Sequence, residues 1–216
     1  MMRKRRTCPG RNARRRMKRK IKQLIAIIKS LREEATRRSL QKTALESTRQ
    51  DFCVIYESEL EYVRKVVARY PDCECGGLLF GHITRPGVMV IDFVSESMGN
   101  SKHGEYEFRP DMVADKKVAD RMINSYAIEE LGSFHSHHIL RLSQPSTGDI
   151  EMVRRLWSAL PAAVKRYIMI IATIEDGEVE LSPYLFERDK MDANPRKLDL
   201  FILQGQSPFN DVDEGV

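Results

Sequence analysis

Cysteine is scarce in this chain, four residues in 216, and no two of them form a CxxC pair. Cys8, Cys53, Cys73 and Cys75 are too few and too unevenly spread for a disulfide framework or a zinc knuckle, which points to a reducing, cytoplasmic setting. Long apolar runs are missing as well. A membrane-spanning helix needs roughly 18 consecutive apolar residues, whereas the early run Leu24-Ile25-Ala26-Ile27-Ile28 is short and closely flanked by lysines. It fits neither a transmembrane segment nor a signal peptide.

Acidic residues are nearly absent from the first fifty positions, which hold 18 Lys/Arg against three Glu. The remaining positions hold 18 Lys/Arg against 28 acids, so the formal charge of +5 conceals a basic arm of +15 and an acidic body of −10. Within the arm, Ile21, Leu24, Ile28 and Leu31 recur at three- and four-residue spacing. That spacing predicts an amphipathic helix in a basic extension over residues 1–50. Such an arm suits phosphate contacts on nucleic acid, an anionic membrane surface or an acidic protein partner, or else forms a solvated leader.

The rest of the chain alternates strand and helix signals, enough for one domain over residues 51–190. Phe52-Cys53-Val54-Ile55 is a β-prone run, and Ser58-Glu59-Leu60-Glu61 has the form of a capping box opening a helix that closes near Tyr70. Apolar runs at 76–82 and 88–94, separated by Thr84-Arg85-Pro86-Gly87, predict a hairpin. Pro110 opens a helix whose buried side would hold Met112, Val113, Val118, Met122 and Ile123. Next come a strand over 131–135, a helix over 146–156, and strands over 167–173 and 179–186 joined by Glu175-Asp176-Gly177. The pattern is α/β, with a mixed sheet and about three helices. Leu198, Leu200, Phe201, Ile202 and Leu203 form a last apolar cluster in a tail over 191–216, whose polar end from Gly205 reads as disordered.

Three of the five histidines fall in Phe134-His135-Ser136-His137-His138, and Pro145-Ser146-Thr147-Gly148-Asp149 follows. At a strand end, alternation turns His135 and His137 to one side and His138 to the other. Hydrolytic zinc sites use three protein ligands and leave the fourth position to water. His135, His137 and Asp149 would supply that set, with Asp149 favoured by the exposed N–H groups at a helix start. A base must also take the water's proton. The candidate is Glu74 in Cys73-Glu74-Cys75-Gly76-Gly77, an acid set before an apolar strand with two glycines that permit close packing. Cys73 and Cys75 read as small packed thiols, and His82 and His103 have no motif partner and receive no role.

Glu74-x-Gly-Gly-Leu-Leu-x-Gly, His135-Ser-His137 and Pro-Ser146-x-x-Asp149, in that order, resemble the signature of the JAMM (JAB/MPN) metalloprotease family. The Glu-x-Gly-Gly form is similar to its prokaryotic JAB branch, and the resemblance covers residues 52–188. It implies an MPN domain, a curved, mostly antiparallel mixed sheet flanked by about three helices. It further implies one catalytic Zn²⁺ on His135, His137 and Asp149, with Glu74 as general acid/base and Ser146 steadying the oxyanion. The implied activity is an isopeptidase or protease that cleaves after the C-terminus of a ubiquitin-like protein, whose tail lies along an edge strand. Compact members of this kind accompany activating and conjugating enzymes in bacterial ubiquitination-like and antiviral defence operons. Two other readings stay open: a JAB hydrolase of sulfur-carrier or amino-acid metabolism, and a non-enzymatic MPN scaffold whose arm binds nucleic acid or a partner. One departure stands out, because eleven residues rather than the family's usual ten separate His137 from Asp149, and His138 replaces a common proline. The expectation is a one-residue insertion in the loop 139–144, with His138 as a candidate substrate contact.

Overall fold

The computed structural model describes residues 51–84, 87–137, 141–190 and 194–210, which belong to a compact unit spanning Gln50–Val216. The expected N-terminal helix, the tip of the 84–87 turn, His138 and residues 211–216 lie outside the described residues. The elements are β1 (Phe52–Tyr56), α1 (Glu57–Arg69), β2 (Gly76–Ile83), β3 (Val88–Glu96), β4 (Lys102–His103), β5 (Phe108–Arg109) and α2 (Met112–Arg121). They continue with β6 (Glu129–Ser136), α3 (Thr147–Ala159), β7 (Arg166–Glu175), β8 (Glu178–Glu187), β9 (Arg196–Lys197) and β10 (Asp199–Leu203). Among the described residues, eight strands make one mixed sheet in the order β10-β1-β3-β2-β6-β7-β8-β9, while β4 and β5 pair separately. β1 runs parallel to both its neighbours and β6 runs parallel to β7; the other pairs are antiparallel.

Strand alternation sorts the core between the two faces of the sheet. On β7, Ile168, Ile170 and Ala172 join the cluster of α1 with Val63, Val66 and Val67, whereas Tyr167, Met169 and Ile171 join Val153 and Trp157 of α3. α2 packs Val118, Ala119 and neighbouring Met122 against Phe80 and Phe93. Burying one such large side chain contributes about 1.5–3 kcal/mol. α1 touches β1, β3, β8 and β10, strands from both halves of the sheet, so the sheet curves around it. No described helix is long and apolar enough to cross a membrane.

The β2–β3 and β7–β8 hairpins form as the turn residues predict. At the second, Asp176 and Gly177 both take positive φ (51° and 85°), the conformation a two-residue type I′ turn requires. Four features differ from expectation. α1 starts at Glu57, directly from β1, and Ser58 makes no capping box. Its N–H instead donates to Gly205 O, and its Oγ accepts from Ser207 N–H, so the C-terminal segment caps this helix. Glu59 is buried and accepts from Val94 N–H at 2.8 Å.

α2 begins after the N-cap Asp111, whose carboxylate accepts from Val113 and Ala114 N–H, and ends in a wider π-type turn over Met122–Tyr126. Met112, Val113 and Ile123 are exposed, contrary to the expected stripe; the buried face is Ala114, Val118, Ala119 and Met122. The pair β4–β5 had no counterpart in the sequence reading. Finally, the segment expected as a tail from 191 carries β9 and β10, and beyond them Ser207 and Phe209 are buried. The folded domain therefore runs past 190 to at least Phe209, because β10 supplies the backbone partners that β1 needs on its outer side.

Candidate metal centre

Antiparallel pairing of β6 with β2 sets the C-terminal end of β6 beside the start of β2, with His135 opposite Gly76 and Phe134 opposite Gly77. Between β6 on one side and β3 on the other, the start of β2 has no room for side chains. A Cβ on Gly77 would lie 1.9 Å from Ser95 O, and one on Gly76 would lie 2.5 Å from Phe134 O. Glu74, two residues before Gly76, is thereby brought level with the histidines. His135 also pairs with Ile171, a residue on the α3 face, so its ring and that of His137 turn toward the first turn of α3 and meet Asp149 there.

Ser136 faces the opposite way and is fully buried. Its Oγ accepts from Cys75 N–H at 2.9 Å, and its own N–H donates to Cys75 O at 2.9 Å. This double tie fastens the loop of the candidate base to the strand of the candidate ligands. Beyond the strand end, His137 N–H donates to Ala172 O at 2.8 Å.

His135 Nε2 lies 2.9 Å from His137 Nε2 and 3.2 Å from Asp149 Oδ1, and His137 Nε2 lies 3.4 Å from Asp149 Oδ2. Zinc bonds of about 2.0–2.1 Å at tetrahedral angles separate neighbouring donors by about 3.3 Å. The three donors fit that spacing, and all lie within 4.8 Å of one another. His137 Nδ1 is 3.0 Å from Leu142 O; a carbonyl only accepts, so Nδ1 carries the proton and the lone pair of a neutral ring sits on Nε2, facing the cluster. Two imidazole nitrogens this close need a proton or a cation between them.

Ser146 is the N-cap of α3 and holds Asp149 in a reciprocal capping box. Its N–H and Oγ donate to Asp149 Oδ2 at 2.6 and 2.7 Å, and Asp149 N–H donates to Ser146 Oγ at 3.2 Å. The hydroxyl proton expected to serve an oxyanion is therefore engaged on the Asp149 carboxylate. Burial pushes Asp149 up, but hydrogen bonds from His135, His137 and Ser146 outweigh it and hold the carboxyl well below its usual range. For His137 burial disfavours the charged ring, yet Asp149, the Leu142 carbonyl and Glu74 together raise its pKa. Glu74 is buried, and burial raises its pKa against the opposing pull of His137 and His135, with Asp149 adding to the rise. An acid poised in this way accepts a proton more readily than an ordinary carboxylate.

The five expected residues thus gather in one place, Ser146 through Asp149 and Glu74 through its field on the histidines. Two contributors carry no motif of their own. Ser136 is legible only as the residue that alternation must turn away from the ligands. His103, whose Nδ1 lies 3.0 Å from Glu74 O, comes from the unmarked β4–β5 pair. Cys53 and Cys75 are fully buried, and burial pushes their thiols up to about 12 and about 11.

No protein-family model and no curated protein matches the chain. Among solved structures, the solution structure of a Desulfitobacterium hafniense protein aligns with 75% of this chain and 100% of its own, with TM-score 0.56 and 14% identity. That of a Salinibacter ruber protein covers 71% and 94%, with TM-score 0.46 and 21% identity. The first likeness concerns the fold alone.

Proposed function

We propose that this chain is a zinc-dependent isopeptidase of the JAMM type, its domain an MPN fold, that cleaves after the last residue of a ubiquitin-like protein. The observation that carries the reading is the convergence of His135, His137 and Asp149 at metal-ligand spacing, with the buried acid Glu74 acting on both histidines. Bound by those three side chains, Zn²⁺ supplies Lewis acidity that polarises a carbonyl and acidifies water. Glu74 takes a proton from the attacking water and returns it to the leaving amine as the amide C–N bond breaks, so acid and amine leave with one water added. The Leu142 carbonyl keeps His137 in the tautomer that offers Nε2, and the Ser146 backbone N–H keeps Asp149 in place. To steady the oxyanion, the Ser146 hydroxyl turns from Oδ2 toward the substrate.

The substrate side rests on the motif resemblance: an extended ubiquitin-like C-terminal tail, with activating and conjugating enzymes of the same system as neighbours and a bacterial conjugation or antiviral defence pathway as setting. The test incubates the zinc-loaded chain with a fusion of a ubiquitin-like protein to a fluorescent reporter. Cleavage after the tail's terminal residue is expected, lost with a chelator and lost in Glu74→Gln while one zinc per chain is retained. Turnover surviving both changes would sink the proposal.

A further inference from the structure

Glu74 lies outside any helix or strand, so nothing regular fixes the position of its carboxylate. Its peptide is gripped instead by the β4–β5 hairpin: Glu74 N–H donates to Gly104 O at 2.7 Å, and the ring of His103 lies with Nδ1 3.0 Å from Glu74 O. Because that oxygen only accepts, Nδ1–H is the donor. The hairpin is closed by Gly104 N–H on Glu107 O at 2.9 Å, and the Phe108 ring sits against Gly76, where it would be 2.8 Å from an added Cβ.

The imidazole of His103 is itself held. It stacks flat on Tyr70, with ring centroids 4.1 Å apart and planes within 6°, and Phe108 lies at 5.3 Å. Tyr70, at the end of α1, donates its hydroxyl to the buried Glu96 at 2.9 Å, and Glu96 also pairs with Arg69. A continuous strut thus runs from β3 through Tyr70 and His103 to the carbonyl of Glu74, although the sequence gives His103 no motif partner.

We infer that His103 is a positioning residue for Glu74: its Nδ1–H bond to the Glu74 carbonyl fixes the loop that aims the carboxylate at the metal ligands. The inference rests on the proposed hydrolytic role of Glu74 for its kinetic consequence, but not for its structural one. Among the described residues His103 bonds to Glu74 O and packs on Tyr70 and Phe108, not on His135, His137 or Asp149, so its loss should leave that triad intact.

Two substitutions separate hydrogen bond from packing. His103→Phe keeps the stack on Tyr70 and removes the donor; His103→Asn removes the stack and keeps a donor at the Nδ1 position. In the zinc-loaded full chain, hydrogen exchange at the Glu74 amide should be about tenfold faster in His103→Phe and return to within about threefold of the parent in His103→Asn. Zinc affinity should stay within about twofold in both. With the reporter fusion, kcat should fall about tenfold or more in His103→Phe at nearly constant KM, since misplacement of a catalytic group by about 1 Å costs that much. Unchanged Glu74 protection in His103→Phe, or failure of His103→Asn to recover it, overturns the inference. If the parent chain cleaves nothing, the isopeptidase reading fails, and the exchange data still decide the role of His103.

Discussion

At the scale of single residues, the site is a balance of charge and proton. Glu74→Gln keeps the shape of the side chain and removes the base, so turnover should fall by about 10²- to 10⁴-fold at constant zinc content, read by reporter cleavage alongside metal analysis. His137 has the opposite dependence from an acid. Its folded-state pKa is raised above the ordinary 6.5, so in metal-free protein its contribution to stability is present below 6.5 and lost as pH rises through the raised value. Zinc held at the proposed site would replace that proton, and therefore the zinc-induced rise in Tm should be larger at a pH of about 7.5 than at about 6. Equal shifts at both would contradict His137 as a ligand. Ser136→Ala strands the buried Cys75 N–H and should cost about 1–3 kcal/mol in denaturant unfolding, despite leaving every ligand in place. The clustering of His135, His137 and Asp149 was legible because ligand chemistry restricts residue type and spacing. His103 was not, because a bond to a backbone carbonyl from a distant strand leaves no mark on the residues around it.

At the scale of elements, alternation and turn chemistry served well wherever a segment packs against one continuous face. The β7–β8 hairpin is the clearest instance, since Asp176-Gly177 meets a backbone demand that few other pairs meet. α2 misled because Met112 and Val113 follow an apolar pattern yet are exposed among the described residues, while small residues, Ala114 and Ala119, take the buried side. The Ser58 box misled for a different reason, as the C-terminal segment claimed the hydroxyl and backbone group that a local cap would use. α3 is the element where a cap and a site coincide. Ser146→Ala should lower stability by about 1 kcal/mol as a lost N-cap, and because the same hydroxyl holds Asp149, zinc affinity measured against a competing chelator should fall with it. A stability loss with unchanged affinity would separate the two functions.

At the scale of the whole molecule, the boundary of the domain was the least legible feature. A cluster of five apolar residues near the end of a chain reads as a tail until its partner strand is known, and the partner, β1, is the first strand of the domain. A chain ending at Lys190 keeps the complete candidate ligand set yet loses β9 and β10, leaving β1 with an unpaired edge and the Asp92 carbonyl without its bond from Ser207. It should be recovered mainly as aggregate, whereas the full chain elutes as a discrete species in size-exclusion chromatography; a soluble, zinc-binding product would show β10 to be dispensable. The parallel pairing of β1 with β10 also orders events in time. During synthesis every candidate ligand and the candidate base emerge before the strand that closes the sheet, and non-local pairings of this kind form late. A ribosome that stalls before β10 therefore holds a chain in which every residue of the proposed metal centre is present while β1 still waits for its outer partner.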